Sequence, residues 1–197
     1  HPMRDYTLEE ILQTDWPNPK EAGRVAGIRA QTKHLYRSTD MALVVGHLIW
    51  GPFELGCALR GYDQFLIDFY EDTQLVENLL DKNLELAINF WDAYLEEVGE
   101  WVQVAAQGDD LGMQTGPMIS PDMYRQYIKP RHKQLFDFIH SKTDAKIYLH
   151  SCGSVFDLIP DFIEVGVEIL NPVQMTAEKM DLKRLKKTFG QDLTFWG

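Results

Sequence analysis

Lys146-Ile-Tyr-Leu-His150-Ser-Cys152-Gly-Ser154 opens as an alternating apolar strand and closes on His150 and Cys152, two positions apart. Side chains at i and i+2 leave a strand on the same face. Imidazole and thiolate are common zinc ligands, each held about 2.0–2.3 Å from the ion, so both could reach one metal. Gly153 permits a sharp turn, and Ser154 suits the N-cap of a following helix. A ligand pair at the carboxyl end of a strand, just ahead of a helix, sits where α/β barrels carry their chemistry. Taken alone, His-x-Cys is also read as packing at a strand end, because cysteine often serves as a small buried hydrophobe.

Outward from this strand, strand and helix patterns alternate at intervals of roughly 25–60 residues, the signature of βαβ units in a parallel sheet. Upstream, a helical turn is expected at Thr7–Gln13, followed by the rigid Asp15-Trp-Pro-Asn-Pro19 and a helix over Lys20–Ser38 with Val25, Ile28, Leu35 and Tyr36 inward. Met41–Gly46 reads as a strand buried on both faces, with His47 to Gly61 as the loop and short helix beyond it. A long helix runs from Asp72-Thr73 to about Val98, and Trp101–Ala106 is a second strand delivering Gly108-Asp109-Asp110. Ser120-Pro121-Asp122 starts a helix that Pro130 should kink or split. Downstream lie a helix at Val155–Val165, a strand at Glu168–Val173, a helix at Leu182–Phe189 and a strand at Leu193–Gly197.

The polar residues gather after strand ends. Asp109 and Asp110 are adjacent, so one should face the barrel mouth, as an acid or hydrogen-bond partner of a substrate, and the other the helix layer. Asn171 and Gln174 suit paired hydrogen bonds to a pterin, pyrrole or amide, or equally the capping of backbone. His47 is a candidate ligand, proton donor or satisfied core residue. Cys57 reads as packing, and His34, His132 and His140 receive no role. No Gly-x-Gly-x-x-Gly or Walker motif follows any strand, which argues against a nucleotide-binding domain.

The bulk numbers agree with a single domain over 1–197: 197 residues, 45% hydrophobic and 25% charged, are enough for a substantial core. A net charge of −11 without a Lys/Arg stripe argues against nucleic acid and anionic membrane as partners. The longest apolar run, Met41–Gly51, is too short to span a bilayer, and no charged-then-apolar leader opens the chain. Cys57 and Cys152 do not form a disulfide framework, so the cytoplasm is the expected compartment. His1-Pro2 is not a natural translation start and Gly197 ends a strand-like segment, so we expect an internal piece of a longer protein.

Several stretches, in this order, resemble the uroporphyrinogen decarboxylase superfamily: Trp16-Pro-Asn-Pro19, Gly108-Asp-Asp-Leu-Gly-Met-Gln-Thr-Gly116, Ile119-Ser-Pro121 with Tyr124, and Lys129-Pro130. Leu149-His-Ser-Cys-Gly-Ser154, Leu158-Ile-Pro160 and Ile169-Leu-Asn-Pro-Val-Gln174 continue the resemblance over nearly the whole chain. It implies a (β/α)8 TIM-type barrel, present here as an incomplete fragment of about five strands with open, destabilising edges. It also implies one of two chemistries. One is metal-free decarboxylation of uroporphyrinogen. The other is methyl transfer between a corrinoid protein and a thiol, tetrahydrofolate, methoxylated aromatic or methylamine. In zinc-dependent methyltransferases of the superfamily a His-x-Cys motif supplies two ligands and a later cysteine the third. His150 and Cys152 match the first two, and the third would lie outside this chain. That motif favours methyl transfer, with zinc as cofactor, a corrinoid supplied by a partner protein, a small-molecule substrate and a homodimer as an open option. A catalytically silent subunit of a corrinoid complex is a further alternative.

Overall fold

The computed structural model describes residues 1–21 and 23–197. Five strands form one parallel sheet: β1 Val44–Trp50, β2 Val104–Gly108, β3 Lys146–His150, β4 Ile169–Asn171 and β5 Thr194–Phe195. Their spatial order is the order of the chain, β1-β2-β3-β4-β5. That is the progression of a (β/α)8 barrel; a doubly wound sheet would reverse direction at a switch point. The sheet is not closed, and among the described residues β1 and β5 each pair on one side only. The fold is therefore an α/β barrel in incomplete form.

Helices cover the outer face: α1 Leu8–Gln13, α2 Ile28–Ser38, α3 Pro52–Arg60, α4 Tyr62–Glu71, α5 Thr73–Val98, α6 Pro121–Met123, α7 Lys129–Lys142, α8 Ile159–Glu164 and α9 Leu182–Phe189. Their starts follow the capping chemistry of the sequence. Thr7 and Glu10 form a capping box on α1, Asp72 accepts from Leu75 N on α5, Ser120 from Met123 N on α6, and Asp181 from Arg184 N on α9. Helix α5 is the central brace, with Val76, Leu79, Leu80, Leu84, Trp91 and Leu95 buried against the sheet and neighbouring helices. Trp91 Nε1 donates to Gln107 Oε1 at 2.8 Å, and Gln107 Nε2 donates to the carbonyls of Ile49 and Gly108. These bonds satisfy the buried amide and tie α5 to the strand ends. Between α6 and α7, residues Tyr124–Ile128 wind as a π-helix, and Pro130 follows in the first turn of α7, so the proline splits the expected helix. Among the described residues, no helix is long and apolar enough to cross a membrane.

Several expectations are corrected. The helix expected over Lys20–Ser38 begins only at Ile28, because Gly27 takes φ 80° as its N-cap; Val25 lies before the helix and Tyr36 is exposed. Ala22, within that expected helix, lies outside the described residues. The first strand runs Val44–Trp50, not Met41–Gly46, and contains His47. It is not buried on both faces: none of its residues is fully buried, and Val44 and Trp50 are about half exposed. The second strand is Val104–Gly108 and not Trp101–Ala106. The inward face of the sheet carries only a small apolar cluster, Val104, Ala106 and Tyr148 with Ile169, below the strand ends.

Candidate metal centre

Strand register sets the first layer of the site. Gly108 pairs with His150, and His150 with Asn171, so the last residues of β2, β3 and β4 lie in one row. Beyond that row the chain turns at Ser151–Ser154, where Gly153 adopts φ 83°. The turn is held from both sides. Leu111 N donates to Ser151 Oγ, Ser154 N to Met113 O, Ser151 N to Asn171 O and Gly153 N to Gln174 Oε1. Ser154 Oγ donates to Glu178 O, so its hydroxyl clamps a loop and does not cap the following helix.

Asp110, His150 and Cys152 converge at the mouth, with one ligand atom from each lying within 4.8 Å of the others. Cys152 Sγ is 3.5 Å from His150 Nε2, and Asp110 Oδ1 is 3.8 Å from it. Tetrahedral zinc with bonds of about 2.0–2.3 Å places its ligand atoms roughly 3.3–3.8 Å apart, so the spacing fits. The imidazole is also oriented as a ligand. Its Nδ1–H donates to Asn171 Oδ1 at 2.7 Å, while Asn171 Nδ2 donates to Trp196 O, leaving Nε2 with a free lone pair toward Cys152 and Asp110. Burial raises the Cys152 thiol above its ordinary pKa, with the Asp110 and Glu54 carboxyls adding to the effect.

Asp109 points the other way. Its carboxylate is fully buried in the helix layer, where Oδ1 accepts from Glu54 N at 2.7 Å and Oδ2 from Phe53 N at 3.4 Å. It therefore caps α3 from across the fold, taking over from Gly51, which has no capping side chain. A Cβ on Gly51 would collide with Asp109 itself. His132 Nε2 sits 2.8 Å from Asp109 Oδ2, and Tyr124 Oη 3.0 Å from His132 Nδ1. Both contacts are satisfied when Nε2–H donates to Asp109 and Nδ1 accepts from Tyr124. Burial raises the Tyr124 hydroxyl well above its usual pKa.

Glu54, in the first turn of α3, is half-buried beside the centre and accepts from Asp110 N at 3.3 Å. Burial, followed by the charges of Asp110 and Asp109, pushes its carboxyl up to about 7. His47 stands across from it, with φ 53° and its ring centroid 5.9 Å from that of His150. Burial and the neighbouring His150 lower its pKa.

Of the residues singled out in the sequence, His150, Cys152 and Asp110 come together, with His47 at their edge. Asp109 does not join them, and its carboxylate serves the helix layer. Asn171 and Gln174 stand at the site with their amides engaged by protein groups: Asn171 by His150 and the carbonyl of Trp196, Gln174 by Gly153 N and Gln114. Sequence reasoning missed Glu54, gave His132 no role, and quoted Tyr124 as part of the family resemblance, without a site role; the Gly51-Pro52 helix start was the signal before Glu54.

A family profile described as uroporphyrinogen decarboxylase (URO-D) matches residues 2–197. Among curated relatives, the methylcobamide:CoM methyltransferase MtaA of Methanosarcina barkeri is 26% identical over 135 residues, covering 68% of this chain and 37% of the relative. The protein of the same name from Methanosarcina barkeri strain Fusaro (DSM 804) is 24% identical over 135 residues, with the same coverage of 68% and 37%. Among solved structures, a methyltransferase from Methanosarcina mazei has the same fold at TM-score 0.62 and 21% identity, over 100% of this chain and 52% of that one. The chain thus spans about half of that structure, and its match spans little more than a third of the curated relatives.

Proposed function

The chain belongs to the uroporphyrinogen decarboxylase (URO-D) family, and we propose that it carries the metal centre of a methyltransferase working between a corrinoid protein and a small molecule. The observation that carries this is the convergence of His150 Nε2, Cys152 Sγ and an Asp110 carboxylate oxygen around one point. The names of the MtaA relatives support the corrinoid side of the reading. Asp110 adds a third donor from within the chain, beside any cysteine contributed from elsewhere. Zinc bound there would supply Lewis acidity, holding Cys152 as a thiolate and lowering the pKa of a thiol brought to its open position.

The chain's own residues prepare that position. Asn171 presents the His150 lone pair, and the clamped Ser151–Ser154 turn fixes Cys152 beside it. Asp109, through the α3 cap, holds Glu54 at the edge of the site. The small molecule is proposed to be a thiol, a tetrahydrofolate, a methoxylated aromatic or a methylamine. With both cysteines free, the cytoplasm is the proposed compartment.

The test is zinc content per chain, measured on protein purified without chelator and on Cys152→Ser and His150→Ala. We expect close to one zinc, lost in both variants, together with methyl transfer from methylcobalamin to a thiol. Folded protein devoid of zinc would sink the zinc-assisted mechanism and return metal-free decarboxylation to first place.

A further inference from the structure

A continuous line of hydrogen bonds crosses from the helix layer to the candidate ligands. It starts at Tyr124 Oη, 3.0 Å from His132 Nδ1, and passes from His132 Nε2 to Asp109 Oδ2 at 2.8 Å. Asp109 Oδ1 accepts from Glu54 N at 2.7 Å, and Glu54 Oε2 accepts in turn from Asp110 N at 3.3 Å. Asp110 Oδ1 ends the line by accepting from Cys152 N at 2.8 Å. Tyr124, His132 and Asp109 are fully buried. Apolar residues of similar volume would often serve stability there as well as a buried polar network does, so the network points to a need for fixed geometry.

The distances show what His132 contributes. Asp109 Oδ2 lies 3.4 Å from Phe53 N but 2.8 Å from His132 Nε2, so the imidazole sets the place of that oxygen. In the neutral ring Nε2 donates only if Nδ1 is left as an acceptor, and the Tyr124 hydroxyl donates to it there. Phe136 stacks on the ring at a centroid distance of 5.3 Å and holds its plane. Asp109 in turn is tied to the site on both sides. Its N–H donates to His150 O at 2.9 Å, and the residue after it is the candidate ligand Asp110. Tyr124 itself rides on a π-helical turn, a feature that recurs at functional sites.

We propose that Tyr124 and His132 are positioning residues for the candidate metal centre: through Asp109 they fix the exit of β2, so that Asp110 stands within ligand distance of His150 and Cys152. This rests on the reading of Asp110, His150 and Cys152 as ligands. The adjacent carboxylates then divide the work. Asp109 anchors the backbone to the helix layer, and Asp110 faces the mouth.

The test is titration of the purified, chelator-stripped protein with zinc or cobalt(II) ions alone. His132→Phe keeps a ring stacked on Phe136 and removes both nitrogens. We expect it to weaken zinc binding at least about tenfold, the scale seen when groups behind the ligands are lost, and to shift the visible d–d bands of bound cobalt(II). His132→Gln, whose amide can donate where Nε2 does, should keep the wild-type bands. Tyr124→Phe removes one hydroxyl and leaves every packed carbon in place, so it reports even if His132→Phe does not fold. It should weaken zinc binding about two- to tenfold, and no further in the His132→Phe background. Ile139→Val, equally buried on α7 but off the line, should lower the urea midpoint while affinity and bands stay unchanged. A folded Tyr124→Phe or His132→Phe protein with wild-type affinity and bands would overturn the proposal, as would the same loss in Ile139→Val. Wild-type protein that binds neither ion defeats the ligand reading and the proposal together, whereas ions bound alike by every variant defeat the proposal alone.

Discussion

An imidazole at a strand end can offer either nitrogen to a metal, and here the amide of Asn171 decides which. Its Oδ1 takes the Nδ1 proton of His150, and its own orientation is set by the carbonyl of Trp196. Asn171→Ala should leave both ligands in place yet lower zinc affinity by about 10–100-fold, read by competition with a chromophoric chelator. An unchanged affinity would mean the ring is held by packing alone. At this scale the sequence was informative where the chemistry is local. His150 and Cys152 are two positions apart on one strand exit, and the alternation of Asp109 and Asp110 already implied opposite directions. Glu54 was out of reach because its contact with Asp110 spans 56 positions, and His132 because its pairing with Asp109 spans 23. Neither contact has a periodicity that a sequence could display.

Among elements, the seam between α7 and α8 has a definite electrostatic character. Asp161, buried on α8, receives Arg125 from the π-helical segment at 3.1 Å and Lys129 from the start of α7 at 2.7 Å. Burial alone would raise its pKa, but hydrogen bonds and charge from Arg125 and Lys129 outweigh that and hold it below the usual carboxylate range. Its charged form is favoured in the fold, so the stabilisation is complete above the ordinary value of about 4 and is lost as pH falls through the lower folded value. Asp161→Asn should therefore cost about 1–2 kcal/mol at pH 7, a figure reduced for the exposure of both cations, and much less at pH 3. Urea midpoints at the two pH values check this; an equal loss at both would remove the charge from the explanation. The π-helical turn has a geometric role as well. Eight residues at about 100° each set two side chains about 80° apart, and one extra residue in a wide turn reduces that to roughly 20°. That brings Tyr124 over His132. Helices with strong caps and long stripes, α5 and α9, were legible to the residue or nearly so. Strand β1 was misread because a run of apolar residues does not disclose how many strands cover it.

For the molecule as a whole, the exposed face of β1 has measurable consequences. Val44 and Trp50 are 50% and 53% exposed on a strand with a free edge. Behind them an apolar groove of about 410 Å³ is lined by Ile28, Leu35, Leu43, Val45, Val98 and Val102. Helix α2 flanks it and buries none of its own residues. Free edges and apolar patches invite association. The chain of residues 1–197 should self-associate with concentration in sedimentation experiments, and Val44→Lys with Trp50→Lys should suppress this. A monomer at all concentrations would contradict it. The barrel character itself was legible from the alternation of strand and helix, whereas the openness of the sheet depends on which neighbours exist in space. The sequential strand order has a temporal side as well. Each strand's partner is the next one made, so the sheet can grow as the chain emerges. His150, which ends β3, and Cys152 just beyond it are then synthesised before the group that orients the imidazole. Asn171 comes 21 positions after His150, and the carbonyl that steadies Asn171 comes 25 positions later again. A nascent chain therefore carries His150 and Cys152 before Asn171 and the Trp196 carbonyl exist to orient the imidazole.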